Sequence, residues 1–268
     1  MAAKKSVLVV GHGLIGHSFI EKLVERHADF EISVLREEPR PAYNRVMLTQ
    51  YFENKDADKH DAMKLSYVSE AELKELSVKL IYGRAMAIDR EARSVSYTML
   101  GKGEEGSSSV SYDVLVLATG SFCFVPTVPG MTLPEKKNVH WPDDPASRPE
   151  GVFVYRTIED LEGLLTAAKA GANRAVVIGG GLLGLEAAKA VYDLKMESHV
   201  LEMAPYLMPT QLNEPAGTVL TQKIQALGIS VHVGVQIKEI AHTEDGKVRG
   251  ILILEKGADT LVLLECDL

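Results

Sequence analysis

The chain alternates between short apolar runs and amphipathic stretches. Two of the apolar runs, at residues 7–10 and 175–178, end directly in glycine. Short apolar runs bounded by glycine favour buried strands of a parallel sheet. Each run is followed by apolar residues at helical spacing, namely Phe19, Ile20, Leu23 and Val24 after the first and Leu185, Ala188, Val191 and Leu194 after the second. The pattern therefore predicts two strand–helix units.

These two units are parts of an internal repeat. The segments VLVVGHGLIG (7–16) and AVVIGGGLLG (175–184) have the same form. Each leads to a second predicted strand that ends in acidic residues, at 32–38 and 198–203. Self-similarity of this kind indicates that one structural unit occurs twice.

The repeat continues through the segments that follow. Residues 78–89 match 229–240, and both run into alternating segments that predict hairpin strands, at 93–100 and 249–254. In the first copy the hairpin segment ends in GKGEEGSSS (101–109), whose composition predicts a flexible loop.

The closing strand is complete only in the first copy. There YDVLVLATG follows at 112–120, whereas the second copy ends in ECDL, with Asp267 in the place of Asp113. We expect an α/β protein with two Rossmann-like dinucleotide-binding domains, the second inserted into the first and C-terminally truncated before its closing strand. Six of the eleven prolines lie within 126–149 and predict a connection between domains. The expected domains are 1–125 and 151–268, with 126–150 as a proline-rich connection.

Both copies carry a GxGxxG motif between the strand and the helix. The first glycine of this motif allows a tight turn, the second lets the backbone approach a pyrophosphate, and the third permits close helix–strand packing. The pyrophosphate then lies at a helix N-terminus, where free N–H groups favour an anion. An acidic residue near the end of the next strand, Glu37 or Glu202, can accept hydrogen bonds from the ribose hydroxyls. The motifs consist of Gly11, Gly13 and Gly16 in the first copy and Gly179, Gly181 and Gly184 in the second.

Two dinucleotide sites in one chain suggest one bound flavin and one exchanging nicotinamide. The segment Ala118, Thr119 and Gly120 supports this interpretation, because it ends a strand with a glycine that can approach a cofactor. A plain turn is the alternative reading of that segment.

The composition disfavours several classes of function. The net charge of −8 disfavours a general nucleic-acid binder. The two cysteines are too few for a disulfide framework or a four-cysteine metal site, so no metal site and no dithiol pair are expected. No apolar run reaches the roughly 20 residues of a membrane span, and the start leaves no room for a secretory leader. We expect a cytoplasmic protein without nucleic-acid or membrane partners.

The sequence resembles the flavoprotein reductases with two dinucleotide-binding domains of the glutathione-reductase type. Within them it is most similar to the N-terminal flavin part of the NAD(P)H-dependent assimilatory nitrite reductases. The resemblance rests on REEPRPAYNRVMLTQYF (36–52), GVFVYRTIEDLEGL (151–164) and GGGLLGLEAAKAVYDL (179–194). It runs over essentially the whole chain and is thinner at 54–77, 101–109 and 131–150.

The resemblance implies roles for individual residues. In the FAD site, Leu14 and Ile15 belong to the glycine motif, Glu37 and Glu38 meet the adenosine ribose, and Met86 meets the adenine through its backbone. Arg45 and Arg156 lie along the flavin pyrophosphate and isoalloxazine, and Gln50 replaces a lysine that tunes the flavin in a related branch. In the NAD(P)H site, Leu182 and Leu183 meet the pyrophosphate and Glu186 faces the nicotinamide. Three residues have open alternatives: Arg45 as a surface cation, Arg156 as a partner of Asp160, and Glu186 as a solvated charge.

The implied activity is hydride transfer from NAD(P)H to FAD, with NADH preferred because Glu202 would repel a 2′-phosphate. This chemistry belongs to the cofactors, so no catalytic residue is named. Electrons would pass to a downstream redox centre or carrier, an iron–sulfur cluster and sirohaem that only a longer enzyme holds and that reduce nitrite to ammonia. The full-length protein would form a homodimer. The alternatives are a ferredoxin- or rubredoxin-type NADH reductase and a truncated, non-catalytic nucleotide-binding paralogue.

Overall fold

A computed structural model describes residues 4–26, 29–52, 65–101, 106–131 and 150–268. Most of the expected connection at 126–150, and part of the expected loop at 101–109, lie outside these residues. The chain divides into two compact units: unit 1 comprises Met1–Arg45 and Asp61–Ser121, and unit 2 comprises Val46–His60 and Phe122–Leu268.

Unit 1 is built on one six-stranded sheet with the order β5-β4-β3-β2-β1-β6. Strands β1, β2, β3 and β6 are parallel neighbours, whereas β3, β4 and β5 form an antiparallel meander. The elements are β1 (Lys5–Val10), α1 (Leu14–Glu25), β2 (Phe30–Arg36), α2 (Glu70–Glu75), β3 (Lys79–Asp89), β4 (Ser94–Met99), β5 (Ser107–Ser111) and β6 (Val114–Leu117).

The continuous apolar sequence of β1 is explained by burial on both faces of the sheet. Val7 and Val9 pack with Ile20 of α1 on one face. Leu8 and Val10 pack on the other face, in a cluster with Leu35, Ile81, Val95 and Tyr97. Because successive strand residues point to opposite faces, a strand covered on both sides has no polar alternation.

Unit 2 contains two three-stranded sheets, a parallel one with the order β7-β8-β9 and an antiparallel one with the order β10-β11-β12. A 3₁₀ helix over Arg45–Phe52 begins at the boundary of the two units. The other elements are α3 (Ile158–Lys169), β7 (Arg174–Ile178), α4 (Leu182–Asp193), β8 (Glu197–Glu202), α5 (Glu214–Ala226), β9 (Ser230–Val233), β10 (Gln236–His242), β11 (Val248–Leu254) and β12 (Val262–Glu265).

The predicted repeat is confirmed by equivalent hydrogen bonds in the two units. The N–H of Gly11 donates to the carbonyl of Leu35 at 2.9 Å, and the N–H of Gly179 donates to the carbonyl of Leu201 at 2.8 Å. These bonds join the glycine loop to the next parallel strand in the same way. Leu35 and Leu201 are therefore equivalent positions.

The predicted match of Asp113 with Asp267 also holds. The Asp113 carboxylate accepts from the backbone N–H of Ser6 at 2.8 Å. The Asp267 carboxylate accepts from the backbone N–H groups of Asn173 at 2.8 Å and Arg174 at 3.0 Å. In each unit a carboxylate on one segment thus fixes the start of the first parallel strand. The hydrogen bonds from the backbone N–H and the hydroxyl of Ser6 hold the pKa of Asp113 below its usual range.

One local expectation differs from the structure. The predicted loop at 101–109 is wrong at its end, because Ser107 begins β5, which pairs with β4. The matched segments also differ from each other: in the second copy Gly234 has a φ of +70° and separates β9 from β10. The equivalent β3 runs on through Gly83, which packs against Tyr97. Among the helices of the described residues, none is long and apolar enough to cross a membrane.

Candidate functional site

The first glycine loop joins β1 to α1 and has a conformation that only glycine accommodates well. Gly11 has a φ of +101°, and a Cβ there would lie 2.2 Å from the carbonyl oxygen of Ala118. A Cβ on Gly16 would lie 2.2 Å from the carbonyl oxygen of Gly11. Gly13, by contrast, has no neighbour within 4 Å of its Cβ position, so this part of the loop is open.

The second loop, between β7 and α4, repeats this geometry. Gly179 has a φ of +108°, and a Cβ on Gly184 would lie 1.9 Å from the carbonyl oxygen of Gly179. Gly181 has no neighbour within 4 Å of its Cβ position. In both loops the third glycine is thus required by the turn itself, and the middle glycine leaves backbone accessible.

Both helices begin at the open glycine without a side-chain cap. Gly13 and Gly181 are the N-cap residues of α1 and α4, and neither helix has a side-chain hydrogen bond at its start. The first N–H groups of a helix need partners and favour an anion. The apolar residues next to them are exposed, with Ile15 at 70% and Leu183 at 64%. Leu14 and Leu182 are also exposed, and the arrangement can take a phosphate group.

The residues that end the second strand differ between the copies. Leu35 and Leu201 are equivalent, so Glu202 has Arg36 as its counterpart, while Glu37 stands one position later. The Glu202 carboxylate accepts from the N–H groups of Gly180 at 2.8 Å and Ala204 at 2.7 Å. It is therefore held against the second glycine loop, where we expect the ribose to bind.

The acidic residues of the first copy lie in ion pairs. Glu37 accepts from the guanidinium of Arg84. Glu38 accepts from Arg45 and, at 2.8 Å, from the hydroxyl of Tyr43. The Arg45 guanidinium also lies 5.0 Å from the centre of the Tyr43 ring. Arg45 is thus a half-buried part of this cluster and not an isolated surface cation.

The end of β6 lies against the first glycine loop. The N–H of Ala118 donates to the carbonyl of Val10 at 2.8 Å, and its own carbonyl faces Gly11. Thr119 and Gly120 follow and are exposed, with Gly120 at a φ of +69°. The structure therefore brings the predicted Ala118–Gly120 segment next to the predicted loop. Met86, on β3, exposes 62% of its surface.

Three further predicted residues belong to unit 2. Gln50 is exposed on the 3₁₀ helix. Arg156 precedes α3, and its backbone N–H donates to the carboxylate of Asp160 at 3.0 Å, which also forms a capping box with Thr157. Glu186 is half-buried on α4, and burial raises the pKa of its carboxyl.

A polar cluster beside the first loop was not singled out in the sequence. His12, inside the glycine motif, is 9% exposed, and neither of its ring nitrogens has a partner among the described residues. Burial, the neighbouring His17 and the positive charge of Arg36 lower the pKa of His12 to about 4. The buried Arg36 pairs with Glu70. His17 stacks on Tyr67 with ring centres 6.0 Å apart. The sequence signal that could have indicated this cluster is the histidine at the middle position of GxG.

Unit 2 also has an apolar cavity of about 400 Å³ beside α4 and β7. Its lining includes Cys123, Phe124, Tyr155, Leu183, Gly184 and Cys266. Burial raises the pKa of Cys266 to about 11, so its thiolate is scarce at neutral pH. Within the described ranges, no group of three or more histidine, cysteine or acidic residues is placed to hold a metal ion.

The fold and the sequence match known proteins over nearly the whole chain. A family model described as pyridine nucleotide-disulphide oxidoreductase matches residues 5–268. The nitrite reductase (NAD(P)H) large subunit of Klebsiella oxytoca is 42% identical over 91% of this chain and 23% of its own length. The nitrite reductase (NADH) large subunit of Escherichia coli (strain K12) is 38% identical over 89% of this chain and 25% of its own length. The chain thus spans about a quarter of these relatives.

One further relative and two solved structures are also similar to nearly the whole chain. A probable ferredoxin reductase of Castellaniella defragrans is 30% identical over 100% of this chain and 58% of its own length. The ferredoxin reductase for the CYP199A2 system of Rhodopseudomonas palustris has a TM-score of 0.77 at 27% identity, covering 99% of this chain and 57% of that one. An NAD-dependent persulfide reductase from A. fulgidus has a TM-score of 0.80 at 25% identity, covering 98% and 44%.

Proposed function

Because the chain belongs to the pyridine nucleotide-disulphide oxidoreductase family, we propose that it is the nucleotide-binding module of an FAD-dependent NAD(P)H oxidoreductase. The observation that carries this proposal is the pair of equivalent glycine loops, each with a first glycine at positive φ, an open second glycine and a helix N-terminus without a side-chain cap. Residues 1–125 would form the flavin part and 151–268 the nicotinamide part, with 126–150 as the connection.

The residues present fit both dinucleotides. At Gly13 and Gly181 a ligand can approach backbone that no side chain covers, and the helix N–H groups behind them would bind the two pyrophosphates. In the first site, Glu37 and Glu38 lie among basic and hydroxyl groups that a ribose could join. In the second site, Glu202 is fixed where its remaining acceptor capacity can meet ribose hydroxyls.

The nicotinamide and the flavin supply the hydride-transfer chemistry when both are bound. The protein binds and orients them and excludes water. The residues that would contact FAD are Arg45, Gln50, Met86, Ala118, Thr119, Gly120 and Arg156. Those that would contact NAD(P)H are Leu182, Leu183 and Glu186. Burial favours the uncharged form of Glu186, which suits a carboxyl beside a neutral ring.

We further propose that the electrons leave for an iron–sulfur and sirohaem centre in a longer enzyme that reduces nitrite to ammonia. Identities of 42% and 38% to nitrite reductase large subunits support this route. A second candidate is a ferredoxin-reductase-like role, which the match of this whole chain to 58% of a probable ferredoxin reductase favours. A cytoplasmic location and a homodimeric full-length protein stay predictions.

The test is to incubate the purified chain with FAD, remove free flavin by gel filtration, and record the absorbance before and after anaerobic addition of NADH. Retained flavin that bleaches with NADH supports an oxidoreductase module. A folded chain that binds NADH but retains no flavin supports the nucleotide-binding paralogue instead. Ferredoxin and rubredoxin as acceptors then separate the second candidate from the first.

A further inference from the structure

Gly180 lies between the first two motif glycines of the second loop and is held on three sides. Its N–H donates to Oε2 of Glu202 at 2.8 Å, and its carbonyl accepts from the N–H of Met208 at 2.9 Å. On the third side lies the fully buried side chain of Leu207. A Cβ on Gly180 would lie 2.5 Å from Cδ2 of Leu207 and 2.9 Å from Cβ of Glu202. Gly180 therefore fits at this position because it has no side chain.

Space, and not backbone conformation, is what requires a glycine here. The φ of Gly180 is not positive, so its backbone would accept an alanine. The Leu207 side chain is fully buried and has no path into solvent. The Cβ of Glu202 is attached to the backbone of β8, which pairs at this point with Val233 of β9. A methyl group on Gly180 would therefore push the Glu202 side chain away from the loop.

Both oxygens of the Glu202 carboxylate are held by backbone groups. Oε2 accepts from Gly180, and Oε1 accepts from the N–H of Ala204 at 2.7 Å. A carboxylate has about four acceptor positions, so about two remain for the hydroxyls of a ribose. The two bonds thus fix the direction in which the remaining acceptors and the negative charge point. A carboxylate at the end of this strand accepts from the ribose 2′-hydroxyl and repels a 2′-phosphate.

The first loop has neither half of this arrangement. Because the two loops are equivalent, His12 stands where the second loop has Gly180, and Arg36 stands where unit 2 has Glu202. Both residues of the first copy are buried, and one of them is a cation. The small loop residue and the carboxylate next to it are therefore present together in one unit and replaced together in the other.

We propose that Gly180 is a positioning residue that sets the choice between dinucleotides with a 2′-hydroxyl and those with a 2′-phosphate. It acts through Glu202. Its N–H orients the carboxylate, and its missing side chain lets the carboxylate reach the loop. This inference rests on the proposed function, because it concerns the nucleotide that the second loop binds.

The experiment measures the dissociation constants of NADH and NADPH by calorimetry for the unmodified chain, Gly180→Ala and Gly181→Ala. Circular dichroism shows whether each variant is folded. We expect Gly180→Ala to reduce the preference for NADH over NADPH at least about fivefold, because the carboxylate is displaced. Gly181→Ala is the matched control, since a Cβ there meets no protein atom within 4 Å. It adds a methyl group beside the pyrophosphate, which both nucleotides share, so it should weaken both by the same factor.

The outcomes separate this inference from the proposed function. A folded Gly180→Ala chain that prefers NADH as strongly as the unmodified chain would overturn the inference alone. An equal loss of preference in Gly181→Ala would also overturn it, because the effect would then belong to the loop as a whole. An unmodified chain that binds neither nucleotide would overturn the proposed function, and the inference with it.

Amide hydrogen exchange in the unmodified chain needs no variant, so a folding defect cannot obscure it. The N–H groups of Gly180 and Ala204 should exchange slowly without nucleotide, because Glu202 accepts from both. The N–H of Leu182, at the start of α4, should exchange fast and become protected when NADH binds. Fast exchange of the Gly180 N–H in the free chain would show that Glu202 is not held by the loop and would overturn the proposal.

Discussion

If the chain has the proposed function, Glu202 is the residue that we expect to set nicotinamide choice most directly. Its carboxylate is held by two backbone N–H groups, from Gly180 and Ala204, and no lysine or arginine occurs between 203 and 222 to neutralise a 2′-phosphate. We predict that NADH binds at least about tenfold more tightly than NADPH, which corresponds to about 1.4 kcal/mol. Glu202→Arg should narrow or invert the difference. Dissociation constants for both nucleotides check this, and tighter binding of NADPH by the unmodified chain would refute it.

We predict that His12 makes the stability of the protein depend on pH. Its pKa is about 4 in the folded chain and about 6.5 when exposed, so the unfolded state binds more protons between these values. The stability that a neutral His12 contributes is complete above pH 6.5 and is lost as the pH falls toward 4. The slope from this one group is at most about 1.4 kcal/mol per pH unit.

Urea unfolding at pH 7, 6 and 5 tests this expectation. His12→Ala removes the buried imidazole, so its free energy of unfolding should fall less steeply with acidity than that of the unmodified chain. His242→Ala changes a histidine outside the cluster and should keep the original slope. An unchanged slope in His12→Ala would show that other groups cause the acid sensitivity.

At the scale of elements, the start of α3 depends on a capping box. The Thr157 side chain accepts from the N–H of Asp160, and the Asp160 carboxylate accepts from the N–H of Thr157 at 2.8 Å. We predict that Thr157→Ala lowers the free energy of unfolding by about 1 kcal/mol, whereas Thr157→Ser keeps the hydroxyl and most of the stability. Thermal unfolding of the two variants checks it, and equal losses would argue against the cap.

Some of the helices and strands could be predicted from the sequence, and others could not. Helices α1 and α4 and strands β1 and β7 were predictable because apolar spacing and the glycines that follow agree. The start of β5 was not, because its serines are typical of a loop and only pairing with β4 makes them a strand. The equivalence of Arg36 with Glu202 could be seen only from the strand register. In the sequence the first acidic residue of REE, Glu37, stands one position later than Glu202 does in its own copy.

Contacts between residues far apart in the sequence were the part of the candidate sites that was hardest to predict. The resemblance placed Glu38 and Arg45 in one site, but the sequence gave no reason for their ion pair or for the hydrogen bond from Tyr43 to Glu38. The hydrogen bond from Gly180 to Glu202 has no sequence motif of its own, since it follows from the pairing of β7 with β8. Such pairs depend on register, and register is set by the whole sheet.

At the scale of the whole molecule, the two units have similar glycine loops, but the equivalent residues on the strand next to each loop have opposite charges. Unit 1 has the buried cation Arg36 where unit 2 has the carboxylate Glu202. The second and third glycines of the two loops have the same surroundings, whereas a Cβ would collide with Ala118 at Gly11 and would meet nothing within 4 Å at Gly179. The repeat would therefore account for the two proposed dinucleotide sites, and we expect the differences behind the loops to determine selectivity between FAD and NAD(P)H.

The central claim is that the first loop binds FAD and the second binds NADH. The most direct measurement is the equilibrium binding of both ligands to the unmodified chain, Gly16→Val and Gly184→Val, with circular dichroism to show that each is folded. A valine at either position would collide with the carbonyl of its own loop, at Gly11 or Gly179. We predict that Gly16→Val loses FAD and keeps NADH, and that Gly184→Val does the reverse. Loss of FAD from a folded Gly184→Val, with FAD retained in Gly16→Val, would contradict the assignment.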